Sequence, residues 1–207
     1  MQSISERSDE ILRDALQAFG QGHEPLYDAL RALPAPIYVT DAEGWVIFAN
    51  EPCLRFSGRR PAIGKDRWCV TWKLYTEDGA FLPHDQCPMA VAIQEKRAVR
   101  GVNAVAERPD GTRVTFIPFP TPLLDAHGAL VGAVNMLIDV TEVRQIEELR
   151  REAERCRWLS TNVADPATKA TLLAMASDYQ AKATQLEAQL LARPGPAPTP
   201  RTRPHPA

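Results

Sequence analysis

The residues best equipped for chemistry crowd into one short stretch, Pro-His-Asp-Gln-Cys-Pro-Met at 83–89. His84 and Cys87, joined by the distant Cys69, would offer an imidazole and two thiolates, the ligand types of zinc and other soft metals. The spacing is not a zinc-finger pattern, and no fourth ligand is evident. Cys87 would also fall in the first turn of a following helix, where the dipole favours a thiolate and the neighbouring Asp85 opposes it. A plainer reading explains the same residues as helix punctuation. Asp85 is placed to cap the helix, and Pro88 is tolerated in a first turn whose N–H groups have no partners.

Other chemistry finds little support. The chain has no glycine-rich phosphate loop, no His-Glu-x-x-His and no Gly-x-Ser-x-Gly. The remaining histidines, His23, His127 and His205, fall in expected loops or the tail. The reading is therefore of a protein that is not an enzyme. The 207 residues carry a net charge of −2, with acids and bases interspersed. That balance leaves no footprint for nucleic acid or an anionic membrane. The polar, acidic start is unlike a signal peptide. The most apolar stretch, 129–140, is too short to span a bilayer. Four widely spaced cysteines predict reduced thiols in a cytoplasmic protein.

The elements that must position these residues follow from periodicity. Apolar residues at Ile4, Ile11, Leu12, Ala15 and Leu16 predict an amphipathic helix over 4–20, and a second is expected at 26–33. The runs PIYVT and WVIFAN flank the turn sequence DAEG and read as a hairpin. A helical and loop stretch follows, then the helix of PHDQCPMAVAIQEKR, then three strands joined by RPDG and DAHG. Pro118, Pro120 and Pro122 alternate, so their missing donors lie on one side. Pairing there must lapse after Ile117, and the strand is expected to fray. The last strand is apolar on both faces, Val131, Ala133 and Leu137 on one and Val134, Met136 and Ile138 on the other. Such a sheet needs cover on both sides. Residues 142–192 read as two helices broken at Asp165-Pro166, with a seam at Ile146, Leu149, Ala153 and Cys156. The proline-rich tail from 193 is expected to be disordered.

This pattern resembles the PAS domain family. PIYVTDAEGWVIFAN, with Asn50, is similar to the first PAS hairpin. ERPDGTRV is similar to the turn before a late strand, and LVGAVNMLIDVTE to the last strand with its exit motif, here Asp139-Val140-Thr141. In particular the chain resembles PAS sensors attached to alpha-proteobacterial histidine kinases. The resemblance implies an α+β fold: a five-stranded antiparallel sheet with short helices on one face, an N-terminal helix and a C-terminal helical hairpin or coiled coil. The expected divisions are a helical cap (1–33), the sensor domain (34–141), a signalling helix and hairpin (142–192) and the tail (193–207). It also implies a sensory and dimerisation module whose exit helix carries the signal onward. The expected partners are a second copy and a histidine kinase or response regulator. No histidine lies on 142–192 to accept a phosphoryl group.

In that family the space between helices and sheet may hold a small molecule, haem or flavin. The residues expected around it are Trp68, Trp72, His84, Met89, Ile93, Phe116 and Asn135. Asn135 is strongly polar within an apolar strand; it reads either as an edge position or as a group aimed into the pocket. The family's haem members carry a histidine within the helix that here follows His84, and residues 86–97 have none. The Asn-Cys-Arg-Phe context of the blue-light relatives is absent, and Cys53-Leu54-Arg55-Phe56 is a faint echo elsewhere in the chain. The cofactor is left unnamed. The alternative is a redox or gas sensor bearing a cofactor or metal through Cys69, His84 and Cys87. Asp139 and Thr141 are expected to tie the last strand to the exit helix, with Thr141 as its cap, and Ile146, Leu149 and Ala153 to serve a dimer.

Overall fold

The structure, a computed structural model, describes residues 23–192. The helix expected over 4–20 and the proline-rich tail lie outside the described residues. The chain divides between Asp139 and Val140 into two units.

The first unit is built on one antiparallel sheet. Its elements in chain order are α1 (His23–Ala32), β1 (Ile37–Asp41), β2 (Val46–Ala49), α2 (Glu51–Ser57), β3 (Lys73–Tyr75), a 3₁₀ turn (His84–Gln86), α3 (Pro88–Glu95), β4 (Ala104–Glu107), β5 (Arg113–Leu124) and β6 (Leu130–Asp139). The strand order is β2-β1-β6-β5-β4-β3. The sheet therefore has six strands rather than five. The extra strand, β3, lies in the stretch read as helix and loop, and it pairs with β4 from Lys73 opposite Glu107 to Tyr75 opposite Val105. Three residues among glycines carry no readable alternation, so tertiary pairing makes this strand.

The hairpin of β1 and β2 turns at 41–45. The Asp41 carboxylate accepts from the amides of Glu43 at 3.1 Å and Trp45 at 2.8 Å. Gly44 has φ +88°, and a Cβ there would run into the Trp68 ring. Two bulges set which side chains face inward. On β2, Ile47 has no partner, so Val46 and Phe48 fall on opposite faces despite their spacing. On β6, Val131 is passed over between Leu130 and Gly132 and is exposed, which corrects its expected place beside Ala133.

The sheet is covered on both faces. Tyr38, Val46, Ala104, Val114, Phe116, Ala133 and Leu137 pack under α2 and α3. Ile37, Val39, Phe48, Phe119, Val134 and Met136 form the outer layer with Leu30 of α1. Tyr27 of the same helix stacks on Phe48 at 4.9 Å. Burying layers of this kind is the main favourable term in such a fold.

The three prolines of β5 act on one side only. Pairing with β4 stops at Phe116, as their missing donors require, while pairing with β6 runs on to Leu124. The strand does not fray, because the alternate residues Phe119, Thr121 and Leu123 keep their N–H groups for β6. On the vacated flank the Pro120 carbonyl accepts from the Val99 amide at 3.3 Å and from the Arg100 guanidinium at 3.0 Å. That guanidinium also donates to Thr121 Oγ1 at 2.9 Å.

The second unit is a helical hairpin of α4 (Thr141–Thr161) and α5 (Pro166–Ala192). Thr141 is the first helical residue and Val140 holds the cap position, so the expected cap at Thr141 is corrected by one residue. Asp165 caps α5 as expected, its carboxylate accepting from the Thr168 amide at 2.8 Å and hydroxyl at 2.5 Å. The small residues Ala153, Cys156 and Ser160 of α4 and Ala176 and Ala183 of α5 are buried where the helices pack. Arg150 pairs with Glu187 across them at 2.7 Å. No described helix is long and apolar enough to cross a membrane.

Candidate functional site

The inner face of the sheet carries a chain of buried polar groups. β1 alternates, so Ile37 and Val39 face outward while Tyr38 and Thr40 face the helices. Asn135 stands opposite Tyr38 in the register of β1 with β6. It is 2% exposed, which excludes the edge reading. Its Nδ2 donates to Tyr38 Oη at 3.1 Å, and its Oδ1 accepts from the Phe119 amide at 2.9 Å. Tyr38 Oη in turn donates to the Trp68 carbonyl at 3.0 Å. Burial pushes the Tyr38 phenol well above its ordinary range, so it stays a donor at any physiological pH.

The Trp68 carbonyl is shared. Cys87 Sγ lies 3.8 Å from it as a weak donor. Trp68 itself is held at φ +68°, a conformation that side-chain-bearing residues adopt rarely and at a cost in strain. The next residue, Cys69, is buried with its Sγ 3.1 Å from Thr71 Oγ1. The neighbouring Cys87 thiol, helped by the His84 imidazole, holds Cys69 below the ordinary thiol range, and Cys69 together with burial holds Cys87 above it. Burial pushes the Cys53 thiol up, and the Cys69 charge adds to it.

The expected pocket residues divide. Met89, Ile93 and Phe116 are buried together in the inner layer, with Trp68 packed against it. His84 is half-buried in the 3₁₀ turn, within electrostatic reach of Cys69. Trp72 does not belong: it precedes β3, points outward and is 53% exposed. Thr40 was not among the expected residues, yet it is fully buried and its Oγ1 is the buried side-chain atom without a hydrogen-bond partner among the described residues. Tyr38 was likewise missed. The available signal was a tyrosine and a threonine two apart on one face of an otherwise apolar strand.

The stretch 83–89 does open a helix, but not as expected. The first turn is 3₁₀, and α3 starts at Pro88 with Cys87 in the cap position and no side-chain cap bond. Asp85 is exposed and does not cap this helix, which corrects that assignment. Among the described residues no group of three or more His, Cys, Asp or Glu side chains is arranged to hold a metal ion. An axial haem ligand from α3 does not fit either, since His84 stands in the turn before it and α3 has no histidine.

Asn50 ties the first unit together. Its Oδ1 accepts from the Cys53 amide at 3.1 Å, capping α2, and from the Ile37 amide at 2.9 Å. Its Nδ2 donates to the carbonyls of Leu30 at 3.0 Å and Ala35 at 2.9 Å. One side chain thus joins α1, β1 and α2. Asp139 ends β6 opposite Phe116, and Thr141 opens α4. In the second unit Ile146 and Ala153 are buried and Leu149 is half-buried. Beside the helix pair an open groove of about 710 Å³ is lined by Arg157, Leu173, Ala176, Gln180 and Thr184.

The family model described as "PAS domain" matches residues 34–142. Among solved structures, the Rhodobacter sphaeroides LOV protein is similar over 86% of this chain and 99% of its own, at 15% identity and a TM-score of 0.45. The LOV domain of a blue-light activated histidine kinase from Erythrobacter litoralis is similar over 53% of this chain and 98% of its own, at 19% identity and a TM-score of 0.41. An RNA-binding light-oxygen-voltage receptor is 23% identical with a TM-score of 0.43; the match covers 56% of this chain and only 32% of the receptor. No curated protein matches the chain.

Proposed function

The chain belongs to the PAS domain family, and we propose that it acts as a cytoplasmic signal-sensing and dimerisation module. In this reading a small ligand or a partner engages the helix side of the sheet, and the signal leaves through Asp139 and Thr141 into α4 and α5. The output partner is a signalling protein such as a histidine kinase or a response regulator, and no catalytic step is required of this chain.

The observation that carries the proposal is Thr40. A buried hydroxyl without a partner costs roughly 1–3 kcal/mol, and it sits on the face where Tyr38 and Asn135 already order the interior. A ligand offering one polar group would offset that cost and be oriented by it. The dimer is supported by the second unit. Ala153, Cys156 and Ser160 are taken up within one hairpin, while Leu173, Met175 and Leu191 of α5 stay exposed. Two hairpins would cover these residues, with Ile146, Leu149 and Ala153 forming the seam within each.

Native mass spectrometry of the purified chain tests both parts. The expected result is a dimer carrying a bound small molecule, with occupancy about tenfold lower in Thr40→Val, the factor that one hydrogen bond of about 1.4 kcal/mol supplies. A ligand-free monomer at high micromolar concentration rejects the proposal.

A further inference from the structure

We propose that Cys69 and Cys87 form a redox-active dithiol that closes to a disulfide on oxidation by a hydroperoxide. The inference goes beyond the sensor reading and needs neither the dimer nor the small ligand.

Four observations on one spot support it. The two sulfurs come from separate segments, one following Trp68 and one at the cap of α3, and the Cys87 sulfur lies 3.8 Å from the carbonyl that immediately precedes Cys69. Both are buried, as are the other two cysteines, which belong to other elements: Cys53 on α2 and Cys156 on α4. Trp68, adjacent to Cys69, is held in the left-handed region, and strain of this kind gathers where a segment must move. The polar neighbours also fit the reaction. Thr71 Oγ1 lies on Cys69 and the Trp68 carbonyl on Cys87, so one sulfur is held ready to attack while the other keeps its proton.

The step balances with the peroxide as the only added reactant. The Cys69 thiolate attacks one peroxide oxygen, the O–O bond breaks, and the departing hydroxide takes up the proton Cys69 released, leaving as water. Cys69 is then a sulfenic acid. The Cys87 sulfur attacks Cys69 Sγ, the S–O bond breaks, and the hydroxide leaves as water with the Cys87 proton. Two sulfurs are oxidised by one electron each and one peroxide is reduced by two.

The surroundings favour this product over a metal complex. Tyr38, Met89, Phe116 and Leu137 line an apolar layer in which an uncompensated charge is costly. A disulfide replaces the Cys69 thiolate and the Cys87 thiol by one neutral bond, whereas a cation held by two thiolates would need further charged or polar ligands that no cluster among the described residues supplies.

The test treats the full reduced chain with hydrogen peroxide, blocks remaining thiols, and maps tryptic peptides without reduction. Peptide 68–73 holds Cys69 and peptide 74–96 holds Cys87. The expected result is that these two peptides run as one linked species, lighter by two hydrogen atoms, and that the four free thiols fall to two. Cys53→Ala/Cys156→Ala should behave as wild type, and Cys69→Ala or Cys87→Ala should lose the link entirely. The wild-type map stands by itself if a variant does not fold. Links to Cys53 or Cys156, oxygen-bearing cysteines without a link, no reaction, or a metal ion retained by the reduced chain would each overturn the proposal.

Discussion

Tyr38 and Asn135 face each other across the β1–β6 pair and share a hydrogen bond of 3.1 Å inside the core. The phenol completes the contact by donating to the Trp68 carbonyl. Three segments far apart in sequence are thus joined through one oxygen atom. Removing that atom leaves the buried Asn135 Nδ2 without this acceptor and takes the stronger of two donors from the Trp68 carbonyl, which costs more than the bonds themselves contribute. Tyr38→Phe is therefore expected to lower stability by about 1–3 kcal/mol, read as a lower urea midpoint with an unchanged slope. An unchanged midpoint would show that the phenol is not part of a structural chain.

Asn50, which caps α2, and Asp85, which was expected to cap α3, should respond differently. Asn50→Ala removes the cap of α2 and strips partners from the Ile37 amide and the Leu30 and Ala35 carbonyls. A loss of about 3 kcal/mol is expected from a cap and several buried groups together. Asp85→Ala touches an exposed side chain outside the cap of α3 and should stay within about 0.5 kcal/mol of wild type. Urea unfolding of both variants decides the matter, and a larger effect at position 85 would reinstate Asp85 as the helix cap.

A pH effect is expected in the second unit. The Thr168 hydroxyl and amide hold the Asp165 carboxyl below its usual value. A carboxyl depressed on folding stabilises above its unfolded pKa, near 3.9, and that contribution is lost as pH falls through the lower folded value. Asp165→Ala should therefore be less stable than wild type at pH 7, and the gap should narrow at a second, acid pH below the unfolded value. Helical circular dichroism during thermal unfolding at the two pH values measures it; a gap independent of pH would assign the effect to lost packing.

Much of the fold is legible in the sequence where the cause is local. The β1–β2 hairpin is written in β-branched runs around DAEG, and α5 begins where Asp165-Pro166 says it must. β3 was not legible, because three residues become a strand only through β4. The prolines' effect on one flank of β5 was legible, but the strand was expected to fray because its continued pairing with β6 on the other flank was not. In the site, Met89, Ile93 and Phe116 meet as expected because helix and strand periodicity fixes which way they face. Trp72 points away because no element yet sets its direction, and Tyr38 was missed because its meaning depends on a partner 97 residues away.

The proline flank of β5 also bears on how this chain behaves in a crowd. Beyond Phe116 the strand has an open side, the kind of edge on which a stray extended segment from another molecule could assemble. Such assembly needs alternating donors and acceptors. Pro118, Pro120 and Pro122 present acceptors alone, and a fixed cation, Arg100, already occupies the one at Pro120. An incoming strand would find half its bonds missing and a positive charge in its path. The longest strand among the described residues is thereby protected from becoming a template for aggregation, without a residue of the buried layers being changed.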